Sequence, residues 1–197
     1  MKHLHCYIVS PLNGRYSNKK KIQDKELILN TSIEDHKFVN RIGTIIETPI
    51  NGSILKKGDL VIVHHNVFRR FYDVRGNEKN SSSYFQEDKY FCYYDQIFLY
   101  KRNNKWNTPD GFNFVKPVSE NDMYSLDKEK PLTGYLKYLS PHLRALNLKE
   151  NDLIGFTENS EYEFVFEGER LYRVQDNSIA INYGANKNEI EYNPSWV

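Results

Sequence analysis

"LKKGDLVIVHHN", Leu55–Asn66, and "LKENDLIGFTEN", Leu148–Asn159, are one pattern written twice. Leu, Lys, Asp, Leu and the closing Asn recur in place. At the turn Gly58 becomes Asn151, an exchange between the residue types that best tolerate a left-handed backbone. Each copy therefore reads as a turn, Gly58-Asp59 or Asn151-Asp152, that feeds a short apolar strand.

Working outward, other landmarks keep the same order. "VSPL" at Val9 and "VKPV" at Val115 open the copies, Gly43 and Gly134 each start an apolar strand, and "YDQIFLY" at Tyr94 and "QDNSIAINY" at Gln175 close them. Two related β modules follow from this, residues 5–103 and 110–184, joined by the polar linker "RNNKWNTPDG" and followed by a tail at 185–197. Short apolar runs punctuated by Gly, Pro, Asn and Asp, with 14% aromatic residues, are the pattern of an all-β protein. "EYEFVFEGERLYRV" alternates Tyr162, Phe164 and Phe166 on one face and turns at Glu167-Gly168, a hairpin signal. The one plausible helical turn is "SPHLRALNL" around His142. Modules this short must hide their strand edges, so small barrels are the expected architecture.

Twenty-seven Lys and Arg stand against 26 Asp and Glu. No strong attraction to nucleic acid or an anionic surface is built in. "NKKK" at Asn18–Lys21 reads as a solvated loop. No window approaches the length of a membrane span, and the N-terminus lacks a long apolar leader core, so a soluble, unexported protein is expected. Cys6 and Cys92 lie far apart without metal-ligand spacing and read as core residues in a reducing compartment.

"KELILNTSIEDHKFVNRIG", Lys25–Gly43, places Leu27, Ile28 and Leu29 side by side between polar flanks, where neither a helical nor a strand period continues. "IVSPL", then this triplet, then "RIGTII", "KKGDLVIV" and "YFCYYDQIFLY" follow the order of landmarks in the GroES-type co-chaperonins, the chaperonin-10 family. The second module resembles the same family from "LKENDLIGF" through "GERLYRVQDNSIAI". The resemblance implies two tandem GroES-like barrels. It also implies a chaperonin-binding loop at 18–41 whose contact residues are Leu27, Ile28 and Leu29, and a homo-oligomeric ring that caps a chaperonin in the cytoplasm. Two departures stand out. "TPINGSI" replaces the longer roof hairpin of many members, and "SENDMYSLDKEKPLT" carries no aliphatic triplet, so the second copy should lack the binding loop. Short-roofed forms resemble phage-encoded co-chaperonins, which places a bacterial host cytoplasm beside a virion as the expected setting.

The alternative for "LIL" is an ordinary buried strand start. A second functional reading is a viral particle component built on the same barrels, with the tail "NKNEIEYNPSWV" docking on a neighbour through Tyr192 and Trp196. "VHHN" at Val63–Asn66, with His3 and His5 as companions, invites a metal. Adjacent histidines on a strand point to opposite faces, however, and metal binding is not expected. Glu161, Glu163, Glu167 and Glu169 have the spacing of a hairpin's solvent face rather than an acid/base pair. No phosphate loop, zinc knuckle or nucleophile elbow is present, so neither catalysis nor a cofactor is expected. "FRRFYDVR" and "TGYLKYL" mix rings with cations as single-strand binders do, but the near-neutral total makes a nucleic-acid partner unexpected.

Overall fold

The computed structural model describes residues 4–16, 19–22, 25–28, 35–121, 125, 128–185 and 188–195. The chain divides into two compact units, Met1–Lys105 and Trp106–Val197. The first holds β1 (Tyr7–Pro11), β2 (Lys19–Ile22), β3 (Lys25–Ile28), β4 (Ile42–Glu47), β5 (Leu60–Val63), β6 (Arg70–Tyr72), β7 (Glu78–Asn80), β8 (Tyr84–Gln86), β9 (Lys89–Cys92) and β10 (Ile97–Arg102). After β11 (Lys105–Asn107), the second holds β12 (Phe112–Ser119), β13 (Glu129–Tyr138), helix α1 (Pro141–Ala145), β14 (Leu153–Phe156), β15 (Tyr162–Phe166), β16 (Glu169–Gln175) and β17 (Ile179–Gly184). The protein is all-β, and α1 is one short turn with Ser140 as its N-cap, accepting from Leu143 N.

The main sheets run β11-β10-β5-β4-β1-β9-β8 and β15-β16-β12-β13-β14-β17. Read from the opposite end, the second order matches the first from β10 onward, strand for strand. The registers match too. Val9 opposes Ile45 and Tyr90, as Val115 opposes Leu136 and Tyr172. Pro11 faces Gly43 as Pro117 faces Gly134. Even the irregularity recurs: Ile97 and Leu99 pair with Val63 and Ile62, and Ile179 and Ile181 with Phe156 and Gly155, one residue being skipped each time.

Core positions follow the same correspondence. Val9, Ile45, Val61, Val63, Tyr90 and Cys92 pack together in the first unit, and Val115, Leu136, Ile154, Phe156, Tyr172 and Val174 do so in the second. A buried side chain at each inward position contributes about 1.5–3 kcal/mol, which fixes register because a one-residue slip would turn every one of them to solvent.

The two copies differ in what is inserted. The first carries a β2–β3 hairpin between β1 and β4, and a β6–β7 hairpin between β5 and β8. The second replaces the β4–β5 connection with α1, whose Leu143 enters the core. The three lysines of "NKKK" are therefore strand rather than loop, since Lys19–Ile22 pairs with Lys25–Ile28. The polar linker likewise contains a strand, β11, reached through a turn at Asn103 and Asn104 with φ 50° and 59°.

Candidate functional site

The duplicated turns are built identically. Gly58 (φ 90°) and Asn151 (φ 70°) both adopt the left-handed conformation, where glycine and asparagine cost least. Gly58 N donates to Ile45 O at 2.8 Å and Asn151 N to Leu136 O at 2.7 Å. The Asp59 carboxylate accepts from Lys56 N at 2.8 Å, and that of Asp152 accepts from Lys149 N at 2.9 Å. Asp59 also pairs with Arg102 at 2.5 Å. These four residues are a shared structural device. Replacing Asp152 by Ala orphans Lys149 N at a site where the carboxylate is buried, and should cost about 1–3 kcal/mol, read as a lower urea midpoint.

The triplet lies on a different kind of element. Among the described residues β3 pairs with β2 alone, as a separate two-stranded sheet in the register Lys19–Ile28, Lys20–Leu27, Lys21–Glu26 and Ile22–Lys25. Leu27 is 50% exposed, which does not fit a buried strand start within the main sheet. The side chain of Ile28, and Leu29 altogether, lie outside the described residues. The two ends of this insertion are clamped together. Tyr16 bridges Val39, Asn40 Nδ2 donates to Leu12 O and Gly14 O at 2.5 and 2.7 Å, and the Tyr16 hydroxyl accepts from Arg70 N at 2.7 Å. Arg15 donates to Phe68 O at 3.0 Å and Asn80 Oδ1 at 2.7 Å. The hairpin thus rises from a fixed root on β1.

His64 and His65 correct one expectation. They lie past β5, at the entrance to a 3-10 turn over His65–Val67, not on a strand. Their rings sit 4.2 Å apart between centroids instead of on opposite faces, and His36 packs 5.4 Å from His65. His64 Nδ1 accepts from Asn66 N at 3.1 Å, which commits that nitrogen to capping the turn. Burial, and then the cationic company of His64, Arg41, His36 and Arg69, pushes His65 down to about 3 from 6.5. Among the described residues no group of three or more His, Cys, Asp or Glu is arranged to hold a metal ion. His5 is exposed, and His3 lies outside the described residues.

The depressed His65 has a consequence for stability. The unfolded chain takes up the proton near pH 6.5 while the folded chain resists it down to about 3. Between those values the unfolded state binds more protons, so stability falls as pH drops through this window. For a half-buried ring the loss should be about 1–2 kcal/mol after solvent screening. Melting temperatures of the parent and of His65→Gln, measured from about pH 7 down to about pH 4, should converge on the acidic side.

The tail is held on its own module. Ser119 N donates to Ile190 O at 2.7 Å and Tyr192 N to Pro117 O at 2.9 Å, with a bridge between Val118 and Glu191. Glu189 pairs with Lys130 at 2.7 Å and Glu191 with Lys116 at 2.9 Å. Asn193 closes the arrangement on Arg170 N and Gly168 O at 3.1 and 3.0 Å. The backbone of Tyr192 is therefore held on β12, its side chain is part-exposed, and Trp196 lies outside the described residues. No family model matches this chain, and no curated protein matches it.

The remaining candidates occupy structural positions. Cys92 is fully buried, with burial pushing its thiol up, and Cys6 is half-buried. Both thiols are free, and the pairing of Tyr7 with Cys92 makes the two sequence-distant cysteines near neighbours. Glu161, Glu163 and Glu167 are exposed on the β15 hairpin, as their spacing implied, whereas Glu169 turns inward to Lys116 and Lys137. Buried Asn113 and Ser140 meet Asp176: Asn113 Nδ2 and Ser140 Oγ donate to its Oδ1 at 2.6 and 2.7 Å, and Ser140 N donates to Asn113 Oδ1 at 2.8 Å. This Ser-Asp-Asn set has no solvent-facing nucleophile, since Ser140 is 0% exposed, and it anchors the α1 corner. Among the described residues no helix is long and apolar enough to cross a membrane.

Proposed function

We propose that this chain is a non-enzymatic co-chaperonin of the GroES type, which uses Leu27, Ile28 and Leu29 to engage a chaperonin ring. One observation carries the reading: β2 and β3 stand apart from the main sheet, and Leu27 remains half exposed in that hairpin. An aliphatic cluster presented on a clamped root has a purpose if a second macromolecule buries it. The duplicated module order supports the same reading, with a loop-bearing first copy and a second copy that enlarges the assembly. Ring formation is part of the proposal. The outermost strand β17 exposes Ile181 and Tyr183 by about half (50% and 53%), and an unpaired apolar edge is an invitation to lateral pairing. Such pairing would also serve the alternative reading, a phage particle component, which differs in needing no triplet.

The direct test is capture of the purified chain on an immobilised bacterial chaperonin ring in the presence of nucleotide, together with its mass in solution. Nucleotide-dependent capture by an oligomer is expected. A strictly monomeric chain at high concentration that chaperonin never retains would end the proposal and leave the particle reading.

A further inference from the structure

The β6–β7 hairpin has no counterpart in the second unit, where residues 157–161 connect the equivalent strands. Nothing in the core requires it: of residues 70–80, none is buried and all but Arg70 and Asp73 are exposed. Its tip is nevertheless rigidly made. Asp73 accepts from Arg75 N and Asn77 N, both at 2.9 Å, and Gly76 N donates back to Asp73 O at 2.9 Å. That tip holds Val74 at 104% exposure. Cross-strand pairing of Phe71 with Lys79 puts a ring that is 38% exposed beside a cation on one face, with Arg75 at the end. A preorganised turn whose carboxylate serves its own backbone and lies 3.9 Å from a still half-exposed Lys79, and which offers valine, phenylalanine and Arg75, is shaped for a partner that is apolar and acidic.

The second unit carries such a surface. β15 is an outermost strand of its sheet. Phe164 and Phe166 face inward, and Glu163 and Val165 face outward, Val165 being 42% exposed. From Glu158 to Glu169 there are five glutamates; Glu163 shares its face with Arg170, which pairs with it at 3.1 Å, while Glu161 is exposed, and Arg69–Asn80 has four Lys or Arg against two acids. Glutamates along an open edge discourage indiscriminate strand addition and select a cationic partner.

We propose that the β6–β7 hairpin of one copy docks on the outer face of β15 of a second copy, with Val74 and Phe71 against Val165, and Arg75 and Lys79 against Glu161 and Glu163. The two patches differ, so the contact is heterologous and repeats from copy to copy, closing into a ring or extending as a filament. It stands apart from chaperonin capture, because neither patch includes Leu27–Leu29.

Sedimentation of the full chain over concentration and salt tests this with a charge exchange. Self-association that weakens with salt is expected for the parent. Arg75→Glu with Lys79→Glu, and separately Glu161→Lys with Val165→Lys, should each weaken it by about tenfold or more, and an equimolar mixture of the two variants should recover it. Val74→Ser, a change at a fully exposed position, should weaken association without touching any charge and serves if a charge variant fails to fold. A parent that stays monomeric, association indifferent to Val74→Ser and to the charge changes, or folded variants that do not complement each other when mixed would overturn the proposal.

Discussion

Gly134→Ala should destabilise the second module by about 3 kcal/mol or more, the largest loss expected of any single methyl in this chain. A Cβ at Gly134 would overlap the Lys116 carbonyl oxygen and lie 2.5 Å from Val115 Cγ1. The obstruction is backbone, on the strand paired directly opposite through Pro117, so relief requires prising β12 from β13. The equivalent Gly43 is less demanding, because its Cβ would stand 2.9 Å from Ser10 O and 3.0 Å from the Phe68 ring, and a ring can tilt. Gly43→Ala should cost about 1–2 kcal/mol. Gly155 supplies the control, its nearest neighbour being Tyr183 at 3.5 Å, an ordinary contact distance, so Gly155→Ala should fall within about 0.5 kcal/mol of the parent. Urea unfolding of the three variants should rank them in that order.

Those glycines also explain why the duplication could be read from so little identity. Close backbone approach and a left-handed turn admit few residue types, so Gly43, Gly134, Gly58 and Asn151 survive as landmarks even where the apolar positions around them change from valine to leucine or phenylalanine. Glu167-Gly168 is legible for the same reason, with both residues at positive φ. The hidden parts are those held by polar contacts. "FRRFYDVRGNEKN" has almost no apolar alternation, because its hairpin buries nothing and depends on Asp73. "NKKK" gave no strand signal because its lysines pair with β3 in a separate two-stranded sheet and carry no apolar alternation. The histidines were misplaced by one residue of strand length: β5 ends at Val63, and beyond it His64 caps a turn instead of continuing the pleat. The tail's attachment rests on ion pairs and backbone bonds to Pro117 and Ser119, for which sequence spacing carries no signal at all.

The copies share their sheet, registers and turns, and diverge in insertions that the core does not need. Shared parts are constrained by packing, since inward residues on the shared strands oppose equivalent partners in both units. The β2–β3 and β6–β7 hairpins are free of that constraint, so their sequences can answer to a partner instead. Chemistry points the same way: the buried polar constellation around Asp176 is consumed in holding a corner, and His65, pushed well below the usual imidazole value by burial and by nearby cations, is held neutral.

Replacing Leu27, Ile28 and Leu29 together by serine should abolish capture by a chaperonin ring while leaving the melting temperature unchanged. Each aliphatic side chain buried by a partner contributes about 1.5–3 kcal/mol, equivalent to roughly ten- to hundredfold in affinity per residue. Against this, each backbone residue fixed on binding costs about 1–2 kcal/mol. The pairing of Lys19–Ile22 with Lys25–Ile28 meets part of that cost beforehand, but three side chains still give a single loop only weak affinity. Several loops on one ring raise the effective concentration of the rest, so a small change per loop is multiplied across the assembly. Leu27→Ser alone should therefore weaken capture by far more than the tenfold or so expected of an isolated site. The unaltered melt follows from β3 belonging to no main sheet. Capture that survives the triple substitution would remove the mechanism, and a collapsed melt would mean that the triplet belongs to the fold and not to a partner.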